Sequence, residues 1–200
     1  MKKINKSLLW FILSFIAFHI ILFIMWGEHE VYWQLYTGIM LIAGISYVFY
    51  QRDFESKRLT TSIITGLITG VVLVLVQVIF SWITSDLSYT SLIRQLSRTG
   101  VYFKWQMLVT LLFVMPCHEL YIRSILQKSI TQLTHRAWPA ILISALLSSS
   151  FFIYLDQWWI VIFIFICQLI LSLSYTYTRR IVTTTVAQIV AVVILLIFHG

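Results

Sequence analysis

Apolar residues fill this chain in long runs, and polar residues gather in the short links between them. A helix of roughly 20 apolar residues crosses a bilayer core. Read at that length, the pattern predicts seven helices, at about 7–26, 31–50, 59–83, 101–121, 139–155, 157–178 and 181–199. The expected fold class is all-α: a polytopic transmembrane bundle of about seven helices, forming a single membrane domain over residues 1–200. The fourth segment departs from the pattern. It includes Lys104, Pro116, His118, Glu119 and Arg123, and its helical periodicity runs on to about Gln132.

The links are too short for a soluble domain, the longest being Ser85 to Gly100. Within it Leu87, Leu92, Ile93 and Leu96 recur at near-helical spacing while Arg94 and Arg98 fall on another face. That pattern fits a short amphipathic helix at the membrane interface or an ordinary solvated loop. Lys2, Lys3 and Lys6 precede the first apolar run as in a signal peptide. The run exceeds a signal core and "MWGEHEVYW" has no small-residue cleavage site, so a retained anchor is expected. Gly66 and Gly70 form a small-xxx-small pair, expected to serve packing within the molecule. Aromatic residues near the segment ends, such as Trp26, Trp82, Trp138 and Trp158, fit interfacial anchoring.

Composition agrees, with 60% hydrophobic and only 10% charged residues among 200. The net charge of +7 is distributed in a way that sets an orientation. Placing the N-terminus in the cytoplasm puts Lys2, Lys3, Lys6, Arg52, Lys57, Arg58, Lys128, Arg136, Arg179 and Arg180 on one side. Glu28, Glu30, Asp86 and Asp156 fall on the other, with Arg94, Arg98 and Lys104 as basic exceptions and Gly200 outside. The expected location is a bacterial plasma membrane. Membrane lipids are expected partners, nucleic acid is not, and Cys117 and Cys167 lack the spacing of a disulfide framework.

The chemistry concentrates in "FVMPCHELYIRSILQ", Phe113 to Gln127. Ionisable groups within a membrane segment are costly and mark candidate sites. Glu119 and Arg123, four apart with the acid first, share a helix face. The bland alternative is a salt bridge near the cytoplasmic interface, with Arg123 snorkelling outward. His118 is expected to point about 100° away from Glu119, so that the three converge only if Pro116 kinks the helix. His19 is expected to be packed or hydrogen-bonded. His118 and Glu119 alone are too few ligands for a metal, and no cofactor is expected. Ser148, Ser149 and Ser150 suggest a serine nucleophile with His118 as base, or simple packing, with no third orienting group evident. Gln77, Gln168 and Gln188 are expected to be interhelical hydrogen-bond partners.

The same stretch resembles the first motif of the CPBP family, the CAAX protease and bacteriocin-processing (Abi) group, which reads Glu-Glu-x-x-x-Arg. Glu119 matches the second glutamate and Arg123 the arginine, Ser124 and Leu126 continue the pattern, and His118 stands in place of the first glutamate. Farther on, "AWPAILISALLSSSFFIYL" resembles the second motif helix, with Ser148 and Phe152 at its Phe-x-x-x-His positions. "LILSLSYTYTRRIVTTTVAQIVAVVI" resembles the closing helix pair, with Gln188 as the nearest polar candidate and Val192 four residues on. The resemblance implies N-terminal helices over 1–99 and a CPBP-like core over 100–195. In active members the first glutamate activates water, two histidines assist and an asparagine stabilises the oxyanion. Here only His118 and Glu119 remain as catalytic candidates, with Glu119, Arg123, Phe152 and Gln188 as structural or binding residues.

The expected function is that of a degenerate protease homologue. It would bind or support maturation of membrane or cell-envelope proteins, or give bacteriocin immunity. The alternatives are an active CAAX-type endopeptidase with an altered site, and a small transporter or channel.

Overall fold

In the computed structural model, which describes residues 6–50 and 59–199, the chain is helical wherever it is regular, and no strand occurs among these residues. The helices are α1 (Lys6–Ile24), α2 (Tyr32–Tyr50), α3 (Leu59–Ile83), α4 (Tyr89–Arg98), α5 (Lys104–Val109), α6 (Met115–Glu119), α7 (Lys128–Thr134), α8 (Ala137–Ser150), α9 (Trp158–Thr178) and α10 (Ile181–His199). The seven apolar segments all appear as helix. Five helical stretches among the described residues are long and apolar enough to cross a membrane: α1, α3, Ala137–Leu155, α9 and Ile181–Phe198. This is a multi-pass helical membrane protein. Of the basic positions that set the expected orientation, Lys2, Lys3, Arg52, Lys57 and Arg58 lie outside the described residues, as does Gly200.

The polar segment forms the axis of the bundle. From Lys104 to Thr134 the chain is one continuous helical rod, but α6 is flanked by π-wound stretches at Thr110–Val114 and Leu120–Gln127. Pro116 falls in the first turn of α6 and introduces no break in the rod. The Leu120–Gln127 stretch meets α1, α2, α8, α9 and α10, which enclose it. Every residue from Tyr121 to Gln127 is accordingly buried. The core around the rod is aromatic: Phe11 of α1 stacks on Tyr121 at 4.6 Å, and Tyr36 of α2 is 5.4 Å from Phe152.

The outer helices bury only one face. In α1 that face is Phe11, Phe18 and Leu22, while Leu13, Ile16, Ile20 and Phe23 are exposed, as a lipid-facing surface requires. α3 packs along α10, and a Cβ on Gly66 or Gly70 would come within 2.8 Å of the carbonyl oxygens of Thr183 or Ala187. The glycine pair therefore serves packing within the molecule.

The amphipathic stretch of the longest link is α4, and it does not lie free at an interface. Its Leu92, Gln95 and Leu96 cover a cavity. Gln77 of α3 donates to the Leu87 carbonyl at 3.0 Å on one side of α4. On the other, Gln34 donates to the Gly100 carbonyl at 3.1 Å and the Trp33 amide to Thr99 at 3.1 Å. Gly100 has a φ of 94° and backs directly onto the Glu30 carbonyl and the Gln34 side chain, so a side chain is excluded twice over.

Candidate functional site

The polar residues of the rod form a ladder. Glu119, Arg123 and Gln127 are spaced by four, and an α-helix of 3.6 residues per turn would carry such a series round the axis by about 40° per step. The π winding from Leu120 to Gln127 closes i→i+5 rings, which slows that advance. All three side chains therefore keep to the side facing α9 and α10. Those helices answer with their own four-residue series, Gln168, Ser172 and Thr176 on α9 and Thr184 and Gln188 on α10.

Arg123 is fully buried with every guanidinium N–H directed to an acceptor. Its Nε donates to Glu119 Oε2 at 3.1 Å, and Nη1 donates to Ser172 Oγ at 2.5 Å and Gln127 Oε1 at 3.4 Å. Its Nη2 donates to the Gln168 carbonyl at 3.3 Å and to Gln168 Oε1. The expectation that Arg123 snorkels to an interface is corrected: its charge is held inside because its own rod and α9 supply all its partners. Glu119 is equally committed. Its Oε2 accepts from Arg123, its Oε1 accepts from Gln188 Nε2 at 2.9 Å, and the Thr184 hydroxyl lies beside it. Below, Gln127 donates to the Ser172 carbonyl and to Thr176 Oγ1, both at 3.0 Å.

His118 also departs from expectation. Its Nδ1 lies 3.4 Å from Glu119 Oε1, outside hydrogen-bonding geometry. The His118 Nε2 pairs with Ser148 Oγ of α8 at 2.9 Å. Ser148, at the motif's phenylalanine position, thus meets the residue at its first glutamate position. Ser149 and Ser150 hydrogen-bond preceding carbonyls in their own helix, at 2.9 and 2.8 Å. His19 is indeed hydrogen-bonded: Nδ1 pairs with Tyr154 Oη at 2.8 Å and Nε2 with Ser150 Oγ at 3.1 Å, and the ring stacks on Phe151.

Beside the ladder lies a cavity of about 1170 Å³, large even for a small-molecule site. Its inner end is formed by Tyr36, His118, Gln168, Phe152 and Gln188, and its walls by apolar residues such as Leu73, Phe163, Ile164, Leu171 and Leu195. Glu28, His29, Glu30, Arg98 and Asp156 are exposed at its rim. Glu119 is absent from its lining. Six buried polar atoms lack a hydrogen-bond partner and belong to residues lining this cavity: Tyr36 Oη, Gln77 Oε1, Gln95 Oε1, His118 Nδ1, Gln157 Oε1 and Gln188 Oε1. Buried polar groups normally find partners, and these six atoms have almost no surface open to the cavity, so they belong to its wall rather than to its free space.

Of the sequence-predicted residues, Glu119, Arg123 and Gln188 come together, while His118 and Phe152 line the cavity beside them. Phe152 brings no ionisable group, its ring lying against Tyr36. Val192 also lines the cavity. Among the described residues no cluster of three or more His, Cys, Asp or Glu side chains has metal-binding geometry. The sequence does not single out Tyr36 or Ser172 as ligand or network residues, although the four-residue polar spacing on α9 is an available signal for Ser172.

Residues 100–194 match the model of a family described as Rce1-like, type II CAAX prenyl endopeptidase Rce1-like. The resemblance carried by Glu119 and Arg123 is thus shown across the segment containing the whole ladder. No curated protein matches the chain, and no solved structure does.

Proposed function

We propose, starting from a CAAX-protease segment at residues 100–194, that this membrane protein binds an apolar segment of another membrane or cell-envelope protein without hydrolysing it. The observation that carries this reading is the commitment of Glu119. Its two oxygens are taken up by Arg123 and Gln188, and it does not reach the cavity. A general base must come within hydrogen-bond reach of the proton it removes. Glu119 is instead a bolt between the rod and α10. The cavity keeps the volume and apolar walls of a binding site, while Phe152 occupies the position of a helper histidine.

The second reading is hydrolysis at an altered site. It draws support from the order Ser148 Oγ, His118 and Glu119, with separations of 2.9 and 3.4 Å. That order matches nucleophile, base and carboxylate. It ranks second because Ser148 is fully covered and lies outside the cavity lining.

The test places a photo-crosslinking amino acid at Phe163, inside the cavity, in cells carrying wild-type or His118→Ala protein at equal abundance. The expected outcome is the same captured protein, at unchanged mass, in both. Accumulation of a shortened product that disappears with His118→Ala would overturn the reading in favour of hydrolysis.

A further inference from the structure

An amphipathic helix ordinarily buries its apolar stripe in a packed core. α4 does not: none of its ten residues is buried. Leu92 packs against the small cluster of Phe80, Leu87 and Ile160, but both Leu92 and Leu96 line the cavity and so stay half-buried. The opposite face, with Ile93 and Arg94, is exposed.

The segments on either side of α4 behave differently. Leu87 before it and Thr99, Gly100 and Val101 after it are all buried. Each end is tied to a different helix. The Leu87 carbonyl accepts from Gln77 of α3 at 3.0 Å. The Thr99 carbonyl accepts from the Trp33 amide and the Gly100 carbonyl from Gln34, both on α2 and both at 3.1 Å. Gln95 of α4 donates to the Asp86 carbonyl at 3.2 Å, a bond within the link itself. Segments with few buried apolar contacts open locally at low free energy, while well-packed ones stay closed. α4 is therefore a loosely seated span between two firm anchors, laid across the mouth of the cavity.

We propose that α4 is a strap that gates the cavity, swinging out about the line joining its anchors to admit the apolar segment and then seating Leu92 and Leu96 upon it. The proposal rests on the binding reading for what enters and adds the route and the closure. An apolar occupant gives the two leucines a surface to pack on, and that contact exists only with the strap closed. Occupancy thereby favours the closed position.

Cys167 lines the cavity about 15 Å farther in than Gln157 by helical rise, whereas Cys117 is outside the lining. The two thiols make a probe and its internal control. Full-length protein in phosphatidylcholine nanodiscs is pulsed with N-ethylmaleimide, both cysteines are followed by peptide mass, and amide hydrogen exchange is measured on the same protein. In the wild type, α4 amides are expected to exchange faster than those of α9. Gln34→Leu removes one anchor bond without touching the cavity lining, and Leu92→Ala removes the seat. Each is expected to raise both α4 exchange and the Cys167 alkylation rate by on the order of fivefold, with the Cys117 rate and the unfolding temperature unchanged. Faster α4 exchange with an unaltered Cys167 rate in both variants would overturn the gate, as would α4 amides as slow as those of α9 in the wild type. A joint rise at Cys167 and Cys117 would also overturn it, since the whole bundle would then have loosened. These readouts need no ligand, so a failure to capture any protein from Phe163 would count against the binding reading alone.

Discussion

At the scale of single residues, the Glu119 and Arg123 pair behaves as a closed account of charge and hydrogen bonds. Glu119→Ala leaves a fully buried guanidinium without its counter-charge, a loss of about 3–5 kcal/mol for such a pair. The expected result is a sharply lower yield of monodisperse protein in detergent and a lower unfolding temperature. Glu119→Leu combined with Arg123→Leu recovers part of the loss, because no charge is then stranded. Equal stability of wild type and Glu119→Ala would remove the structural role. Gln188→Leu is expected to cost less, about 1–3 kcal/mol, since Arg123 still covers the other carboxylate oxygen. The pair was legible in the sequence, because acid and base four residues apart in an apolar run have few innocent explanations. Its depth was not. Whether an arginine snorkels or stays inside depends on what neighbouring helices offer it, and Gln168 and Ser172 are some 45 to 49 residues away along the chain.

At the scale of elements, the apolar runs placed α1, α3, the Ala137–Leu155 stretch, α9 and α10 within a few residues, because run length is a direct consequence of crossing hydrocarbon. The winding of the rod was illegible: π and α turns have the same apolar composition, and the difference lies in which carbonyl each amide chooses. The fate of the Ser85–Gly100 link was likewise open, since an amphipathic face fits a membrane surface as well as a cavity. The α3 and α10 contact gives a prediction of its own. Gly70→Ala sets a Cβ 2.8 Å from the Ala187 carbonyl oxygen and from Val190. A loss of about 1–3 kcal/mol is expected from such overpacking, read as a lower unfolding temperature. Val190→Ala should restore only part of it, because a backbone oxygen cannot be trimmed away. Full restoration would show that the side chain alone sets the spacing.

At the scale of the whole molecule, a rod with a polar ladder on one side is enclosed by five helices, and a cavity is left where α3, α9 and α10 meet α4 and the rim. The cavity separates two properties that a single polar motif confounds, stability from the ladder and binding from the space beside it. Leu195→Trp, which fills the cavity from its apolar wall, is expected to abolish crosslinked capture from Phe163 while leaving the unfolding temperature within a few degrees of wild type. A parallel collapse of both would tie the cavity to the fold. The winding of the rod also governs how such a chain tolerates change in length. Loss of a single codon between Leu120 and Gln127 would let the backbone relax to α turns with every hydrogen bond retained. Arg123 or Gln127 would then be swung off the α9 face, so a deletion harmless to the helix would be lethal to its register.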